Sequence, residues 1–276
     1  MRRLVVLAGV LCLAAVLTVV GFHTWFSSGK MRVVFFQAGA ADAILIRTKQ
    51  SAVLIDTGLE DNAQALVQAL KKEGVRSLDA LIVTHFDKDH IGGAQQILET
   101  FSVAMVLEPD YTKDAKTYKR YRQALEESHA QRYTLSSDAS FTLDGASYRV
   151  DATAASSYEQ DESNNCSLVV TVQWGDTSFL LTGDAQEARL DELLKQGVAP
   201  CDVLKVPHHG RMNDRSAEFF AAASPKIAVI TSDLEEPEDQ EVVAALEAVG
   251  AQVYLTREGT VVCVSDGKRV RVSQEN

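Results

Sequence analysis

The sequence predicts an α/β fold in which two mixed β-sheets face one another and helices cover both outer faces. Short β-type runs in hairpin order are followed by strands that alternate with helix-period segments, and this succession occurs roughly twice. Several strand runs are apolar throughout, so both faces of each sheet must be covered. Because residues 31–276 contain no linker rich in Pro, Gly and Ser, we expect them to form one domain.

The first half of this domain begins with strands and continues with alternating elements. We expect strands at 31–39, 42–48 and 51–58, a helix at 61–73, a strand at 78–85, a helix from about 93, a strand at 103–109 and a helix at 113–130. The apolar run 78–85 is typical of a strand buried on both faces. The helix at 61–73 ends before Gly74, and its predicted buried face comprises Ala65, Leu66, Ala69 and Leu70.

The second half repeats the alternation of strands and helices. We expect strands at 147–154, 167–174 and 177–184, a helix at 185–196, a strand at 203–210, a helix at 216–223, a strand at 227–233, a helix at 239–249 and closing strands at 253–257, 260–265 and 269–273. Ligands in such a layout bind on loops at one rim of the sheets.

The N-terminal 30 residues are predicted to lie outside the fold. Residues 4–22 form an uncharged apolar run of 19 residues behind Arg2 and Arg3, which is long enough to cross a bilayer. A cleaved signal peptide, which would give a secreted form, usually has a shorter apolar stretch that ends in small residues. We therefore expect residues 1–30 to be an uncleaved single-pass signal anchor in the cell membrane. The two arginines predict an extracytoplasmic domain at 31–276.

Composition excludes a disordered chain, because 46% of the 276 residues are hydrophobic and 24% are charged. The chain carries 27 Lys and Arg against 38 Asp and Glu, a formal net charge of −11. An acidic chain repels nucleic acid, so a polyanionic substrate needs a local cationic feature such as bound metal ions. The four cysteines have no C-x-x-C spacing, and we interpret them as small buried residues.

The segment THFDKDHIGG at 84–93 carries the strongest functional signal. His85, Asp87, Asp89 and His90 lie within six residues on a predicted strand-to-helix loop. Carboxylates this close repel one another when ionised, and a divalent cation removes that cost. Imidazole with carboxylate suits zinc, manganese or iron. We expect the glycines that follow to let the backbone turn tightly into the next helix.

Two further predicted strands end in titratable groups. TGD ends the strand at 177–184 with Asp184, and PHHG ends the strand at 203–210 with His208 and His209. Four of the six histidines therefore fall in two strand-end motifs, which chance scatter seldom produces. We interpret the other two, His23 and His129, as surface residues.

Together these motifs resemble the metallo-β-lactamase superfamily. HxDxDH followed by GG, then Asn165 with Ser167, TGD and VPHHG occur in the family's order, and the resemblance covers nearly the whole of 31–276. It is closest to the soluble hydrolase domain of the competence protein ComEC. The resemblance implies a four-layer αββα sandwich with up to two divalent metal ions, zinc being expected and manganese the alternative. It also implies hydrolysis by a metal-bound hydroxide.

The resemblance assigns metal ligands residue by residue. His85 and Asp87 would bind the first metal, Asp89 and His90 the second, and Asp184 would bridge the two. The extra ligand to the second metal is expected to be His209, although the sequence does not separate its role from that of its neighbour. The residues expected to act in catalysis are Asp89, Asp184 and His208.

Residues around the ligands also receive roles from the resemblance. His208 would contact the substrate or its leaving group. Asp56, in LIDTG, would brace the metal loop from behind, and Asp42 would lie near the site. Asn165 stands where many members of the superfamily have a histidine, so we expect the first metal to be weakly held. Arg211 replaces a serine of the subgroup, and the acidic segment ITSDLEEPEDQEV lacks a late histidine.

Paired cations stabilise both the attacking and the leaving oxygens of a phosphoryl transfer, so the reaction fits a phosphodiester better than an amide. A basic cluster on the predicted helix at 113–130 supports contact with a polyanion, and Tyr118 and Tyr121 are candidates for stacking on bases. A solvated helix is the alternative interpretation. The cluster comprises Lys113, Lys116, Lys119, Arg120 and Arg122.

The leading hypothesis is a membrane-anchored, extracytoplasmic phosphodiesterase or nuclease, with DNA as the subgroup's expected substrate and no protein partner. The enzymatic alternative is a phosphorylcholine-type esterase that acts on cell-wall polymers. A non-catalytic module for DNA uptake or binding, with a structural metal, is the alternative of another class. β-Lactam hydrolysis has weak support because the superfamily covers many substrates.

Overall fold

The computed structural model describes residues 29–155, 157–160 and 162–275. The predicted membrane anchor at 1–30 lies outside these ranges except for its last two residues, and it stays a prediction. Within the described ranges, no helix combines the length and the apolar character needed to cross a bilayer.

The strands and helices alternate as the sequence predicts. The strands are β1 (Met31–Phe35), β2 (Ile44–Arg47), β3 (Ala52–Ile55), β4 (Ser77–Ile82), β5 (Ser102–Pro109), β6 (Gln131–Leu135), β7 (Ala139–Leu143), β8 (Ala146–Asp151), β9 (Val169–Trp174), β10 (Thr177–Leu181), β11 (Val203–Lys205), β12 (Ile227–Ile230), β13 (Gln252–Leu255), β14 (Thr260–Ser265) and β15 (Val270–Glu275). The α-helices are α1 (Ala63–Lys72), α2 (Lys88–Ile91), α3 (Ala94–Thr100), α4 (Lys116–Ser128), α5 (Glu162–Asn165), α6 (Glu187–Gln196), α7 (Ser216–Ala223) and α8 (Gln240–Ala248). Short 3-10 turns occupy Glu60–Asn62, Pro207–Gly210 and Thr256–Glu258.

The strands form two sheets, and both are mixed, as predicted. The first has the order β15-β14-β1-β2-β3-β4-β5-β6, and the second has the order β13-β12-β11-β10-β9-β8-β7. In the first sheet the pairs from β3 to β6 are parallel. In the second, the pairs from β10 to β13 are parallel. The remaining pairs of each sheet are antiparallel, so each half combines hairpins with crossover connections.

Three apolar cores separate four layers. One core lies between the two sheets, and each of the others lies between a sheet and its own helices. Strand β3 contributes side chains to two of these cores. Val53 and Ile55 face the core between the sheets, whereas Leu54 faces the outer helices. Successive side chains of a strand point to opposite faces, so a strand covered on both sides must be apolar throughout.

Two strands, β6 and β7, were not predicted. Four of the five residues of β6 are exposed, and the strand lacks the apolar run that identifies a buried strand. It lies at a sheet edge, where it pairs with β5 alone. Its Arg132 donates a 2.5 Å hydrogen bond to the buried carboxylate of Glu108 on β5. Tertiary contacts, rather than local pattern, therefore determine this strand.

The buried face of α1 differs from the prediction. The helix begins at Ala63 after a 3-10 turn, and Ala65, which was expected on the buried face, is exposed. The buried residues of the helix follow the spacing i, i+3, i+4 and i+7, which is typical of one helix face. The prediction shared Leu66 and Leu70 with this face but placed Ala65 and Ala69 on it as well. The buried residues are Ala63, Leu66, Val67 and Leu70. The cysteines Cys166, Cys201 and Cys263 are buried, as predicted, and they are free.

The parallel strands bring the chemically active loops to one rim of the sandwich. β3 and β4 of the first sheet and β10, β11 and β12 of the second end there. At the opposite end, turns of the two sheets contact one another. Asp176 N donates a 2.6 Å hydrogen bond to Gly267 O, and Thr48 Oγ1 donates a 2.8 Å hydrogen bond to Asp144 Oδ2. Turns therefore join the two sheets at the end remote from the rim, through main-chain and side-chain hydrogen bonds.

Candidate metal centre

Four side chains converge at the rim, and we call them the four-donor cluster: Asp89, His90, Asp184 and His209. One donor atom of each lies within 4.8 Å of the others. Asp184 Oδ2 is 3.2 Å from His90 Nε2 and 3.1 Å from His209 Nε2. Asp89 Oδ2 is 3.3 Å from His209 Nε2. Both sheets contribute, because residues 89 and 90 follow β4 whereas 184 and 209 follow β10 and β11.

The ring orientations of His90 and His209 favour binding of a cation at their Nε2 atoms. His90 Nδ1 lies 2.7 Å from Asp56 Oδ2, and His209 Nδ1 lies 2.9 Å from the carbonyl oxygen of Thr231. A proton on each Nδ1 leaves the Nε2 lone pair pointing into the cluster. Among the described residues, the buried Nε2 atoms of His85, His90 and His209 have no hydrogen-bond partner. Buried acceptors without donors are costly, and a divalent ion is the partner that these atoms fit.

The glycines after the metal loop serve close packing rather than a tight turn. Gly92 has φ −58°, which is ordinary helical backbone and corrects the expectation of a special turn. A Cβ at this position would lie 2.4 Å from Glu60 N and 2.7 Å from Gly58 O. Glycine therefore lets the loop after β3 pack directly against the helical turn that presents His90.

The loops that present the other two donors have unusual backbone. His208 and His209 have φ values of 46° and 52°, in the left-handed region that non-glycine residues rarely adopt. Gly183, before Asp184, has φ 52°, and a Cβ there would lie 2.9 Å from the Cβ of Thr84. Such strain persists only where the surrounding structure imposes it, and it often marks functional sites.

Without a metal ion, protonated imidazoles neutralise the cluster. Burial alone would lower the pKa of His209, but the carboxylates of Asp184 and Asp89 raise that pKa to about 9. Burial opposes protonation of His90 as well, yet Asp184 and Asp56 raise its pKa well above the usual value. Burial would raise the pKa of Asp184, and the cations around it lower that pKa well below its usual range. A divalent ion can replace the two protons without changing the total charge.

Lys205 is a buried residue of the site that was not predicted from the sequence. Its ammonium is fully buried and lies 2.6 Å from Asp42 Oδ2, 2.8 Å from Gly183 O and 3.4 Å from Asp184 Oδ1. Although burial lowers the pKa of Lys205, these carboxylates raise it overall. The available signal was a lysine inside the apolar strand run VLKV, where a charge needs a buried partner.

Asp42 and Asp56 lie behind the cluster and act as braces. Together with His90 they form a second group of possible ligands. However, Asp42 Oδ1 accepts a 2.7 Å hydrogen bond from Thr231 Oγ1, and Asp56 Oδ1 accepts a 2.8 Å hydrogen bond from Thr84 N. Because their oxygens already have donors, both carboxylates fit the bracing role rather than that of metal ligands.

The residues assigned to a first metal, His85 and Asp87, lie outside the four-donor cluster. His85 is fully buried beside the ring of His90, with a centroid separation of 4.0 Å, and burial lowers its pKa to about 3. The Oδ1 of Asp87 accepts short hydrogen bonds from Lys113 Nζ and Ser163 Oγ. The structure thus places His85 next to the cluster and Asp87 in a separate contact.

Asn165 and His208 also lie outside the cluster. Asn165 Oδ1 accepts a 3.0 Å hydrogen bond from Arg189 N, and its Nδ2 donates to Gln160 O at 3.0 Å. His208 is half-buried at the rim, where its Nδ1 lies 2.9 Å from Gln186 Nε2. Burial lowers the pKa of His208, which favours its neutral imidazole. Of the paired histidines, the structure thus brings His209, and not His208, into the donor set.

The basic cluster is less available to a polyanion than the sequence suggests. Tyr121 is 1% exposed and donates a 2.5 Å hydrogen bond to Glu108, so its predicted stacking on bases is wrong. Tyr118 packs against Phe86. Lys113 precedes α4 instead of lying on it. The side chains of the cluster that pair with carboxylates are Lys113 with Asp87, Lys119 with Asp114, Arg120 with Glu60 and Arg122 with Glu108. Lys116 is exposed.

Comparison with known proteins places this geometry in a family context. A family model described as the metallo-beta-lactamase superfamily matches residues 37–231. The chain is 27% identical to ComE operon protein 3 of Bacillus subtilis over 252 residues, which are 84% of this chain and 32% of that protein. It is 28% identical to competence protein ComA of Neisseria gonorrhoeae over 225 residues, which are 79% of this chain and 30% of that protein.

The chain thus spans about a third of the length of these curated relatives. Among solved structures, the metallo-beta-lactamase fold protein YhfI from Bacillus subtilis matches with a TM-score of 0.54 and 12% identity. That match covers 89% of this chain and 100% of the other. At this identity the likeness supports the fold alone.

Proposed function

Because the chain belongs to the metallo-beta-lactamase superfamily, we propose that it is a metal-dependent hydrolase of phosphodiesters, with DNA as its substrate. One observation carries the proposal. Three buried Nε2 atoms without hydrogen-bond partners lie at a rim where two carboxylates converge. The choice of DNA is supported by the likeness to a protein named for competence. The apolar run at 4–22 supports a membrane location with the domain outside the cytoplasm.

The four-donor cluster would hold the ion. A divalent ion held there would supply a water molecule of lowered pKa and positive charge beside a phosphoryl group. The chain orients the donors before substrate arrives. Asp56 holds the ring of His90, and Thr231 holds the ring of His209. Lys205 contacts one oxygen of Asp184, so the other oxygen faces the histidines. Zinc and manganese both suit this set of nitrogen and carboxylate donors.

His208 would move a proton at the edge of the site. Its imidazole is half-buried and lies between Gln186 and Asn164. Because its pKa is lowered, the neutral ring can accept a proton from an attacking water molecule. The protonated ring can then pass that proton to the leaving oxygen. His208 thus has a chemical role that differs from the ligand role of His209.

A second candidate is a DNA-binding module with a structural ion. The engagement of Asp87 by Lys113 and Ser163 favours it, because a donor of the expected first metal is occupied. The pairing of Arg120 with Glu60 counts against it, since a paired arginine presents less positive charge to a phosphate backbone.

The test uses the full chain loaded with Mn²⁺ or Zn²⁺. Plasmid DNA, bis-p-nitrophenyl phosphate and p-nitrophenylphosphorylcholine serve as substrates. Asp184→Ala removes a cluster donor, and the matched control Asp176→Ala changes an exposed aspartate in the turn after β9. We expect wild type and the control to cleave DNA and the simple diester, whereas Asp184→Ala loses metal and at least about 100-fold in rate.

The other outcomes separate the alternatives. Cleavage of the choline ester alone would support an esterase of cell-wall polymers. Tight DNA binding without turnover would support the binding module. If Asp184→Ala kept full activity and metal content, the proposed centre would be wrong.

A further inference from the structure

The side chains that would complete a first metal site have other partners. Asp87 Oδ1 receives short contacts from the ammonium of Lys113 and the hydroxyl of Ser163. The side-chain amide of Asn165 forms hydrogen bonds with main-chain groups. Its oxygen accepts from Arg189 N, and its nitrogen donates to Gln160 O. Asn165 cannot serve a metal ion without giving up these bonds. Asp87 can offer an ion only its Oδ2, on a carboxylate whose charge the ammonium already offsets.

The contact between Lys113 and Asp87 belongs to a connected network. Ser163 Oγ lies 3.1 Å from Lys113 Nζ and 2.9 Å from the hydroxyl of Tyr111. That hydroxyl accepts a 2.7 Å hydrogen bond from Phe86 N, in the main chain just before Asp87. Tyr111 is two residues from Lys113. One loop therefore supplies both the ammonium of Lys113 and the hydroxyl of Tyr111 that contacts Ser163. Such a network holds the ammonium against Asp87.

Asp184 offers little to a second ion. Its Oδ2 lies 3.2 Å or less from His90 Nε2 and His209 Nε2, and its Oδ1 lies 3.4 Å from Lys205 Nζ. Both oxygens therefore already face cationic or metal-directed groups. The donors that remain for a second ion are His85 Nε2 and Asp87 Oδ2, and the ammonium of Lys113 at Asp87 Oδ1 places a positive charge beside them.

We propose that this centre binds a single divalent ion, and that Lys113 occupies Asp87 so that a second ion is excluded. The ammonium supplies the positive charge that Asp87 would otherwise take from a metal. This inference rests on the proposed function in so far as it requires an ion in the four-donor cluster. It differs from the two-ion centre that the sequence resemblance implies.

Metal stoichiometry tests the inference without reference to activity. The full chain is equilibrated with excess Mn²⁺ by dialysis, and the bound metal is counted by elemental analysis. Electron paramagnetic resonance then reports whether two Mn²⁺ ions are magnetically coupled. We expect one equivalent in wild type and an uncoupled signal. Lys113→Met frees Asp87, and this variant should bind a second equivalent with a coupled signal.

Two controls isolate the role of Asp87. The double variant Lys113→Met with Asp87→Asn should return to one equivalent, because the freed donor is removed. Lys72→Met changes an exposed lysine in the last turn of α1 and should also stay at one equivalent.

Two equivalents in wild type would overturn the inference, and so would a single equivalent in Lys113→Met. These results are distinct from a failure of the proposed function. A chain that binds one ion but hydrolyses no phosphodiester would contradict the function alone. A chain that binds two ions and cleaves DNA would contradict this inference alone.

Discussion

Asp56 Oδ2 lies 2.7 Å from His90 Nδ1, and both side chains are fully buried. Asp56 adopts a left-handed backbone conformation with φ 55° directly after β3. Thr84 donates to both of its oxygens, at 2.8 Å from its nitrogen and 2.6 Å from its hydroxyl. The carboxylate therefore determines which nitrogen of His90 carries the proton and which one faces the cluster.

Asp56→Asn should lower the affinity for Mn²⁺ by about 10- to 100-fold. Asparagine tolerates the left-handed conformation, but its amide replaces an acceptor where donors converge. Calorimetric titration measures the effect. Asp144→Asn is the matched control, because Asp144 also has positive φ, at 45°, but lies at the remote end of the sandwich. Equal affinities for the two variants would refute the bracing role.

Lys205→Met should destabilise the metal-free chain by about 3–5 kcal/mol, because the buried carboxylates of Asp42 and Asp184 lose a buried counter-charge. Urea unfolding in the presence of a chelator measures the free energy. Lys226→Met removes an exposed lysine that pairs with Asp202 at 2.7 Å, and it should cost far less because solvent screens that pair. If the two variants were equally stable, Lys205 would not be the buried counter-charge described above.

Gly92→Ala should cost at least about 2 kcal/mol, because the added methyl group meets main-chain atoms of the loop after β3. Gly250→Ala is the control. Its Cβ meets nothing within 4 Å, and only the positive φ of 87° opposes it, at a cost of roughly 1 kcal/mol. Thermal unfolding of both variants checks the difference. A smaller loss at Gly92 than at Gly250 would contradict the close packing.

Metal affinity should rise with pH. Although burial lowers it, the pKa of His209 is about 9 in the metal-free chain because of Asp184 and Asp89. An imidazole must be neutral to bind a metal ion, so below that pKa the ion displaces a proton. The dissociation constant for Mn²⁺ should fall about tenfold per pH unit for each proton displaced.

Calorimetry between about pH 6.5 and 8.5, in two buffers of different ionisation enthalpy, measures both the affinity and the protons released. His129→Gln, which changes an exposed histidine, should leave the pH dependence unchanged. Affinity independent of pH, with no proton release, would show that His209 is neutral before the ion binds.

Strand endings explain why much of the fold and site could be predicted. Apolar runs such as 78–85 identify buried strands, and the titratable groups that follow them must meet at one rim because neighbouring parallel strands end together. This reasoning predicts that Asp184 lies near the histidines of the THFDKDH and PHHG motifs. It fails for β6, whose pairing depends on long-range contacts of Arg132 with Glu108.

The partners of Asp87 could not be predicted for a related reason. Lys113 and Ser163 are 26 and 76 residues away from Asp87 in sequence, and no periodic pattern links them to the metal loop. Their contact with Asp87 depends on the path of the chain between elements that are distant in sequence. Lys205 differs, since a charged residue inside an apolar strand is visible in sequence, although its partners are not.

The contacts between the two sheets differ in kind at the two ends of the sandwich. Turns connect the sheets by hydrogen bonds at the remote end, whereas at the rim Asp89 and His90 from one sheet face Asp184 and His209 from the other. An ion bound among these four would cross-link the halves of the sandwich much as a disulfide would. Its contribution to stability would grow with the logarithm of free metal concentration. A chelator would therefore weaken one contact between the sheets at the rim, while the apolar core between them and the turns at the remote end would remain.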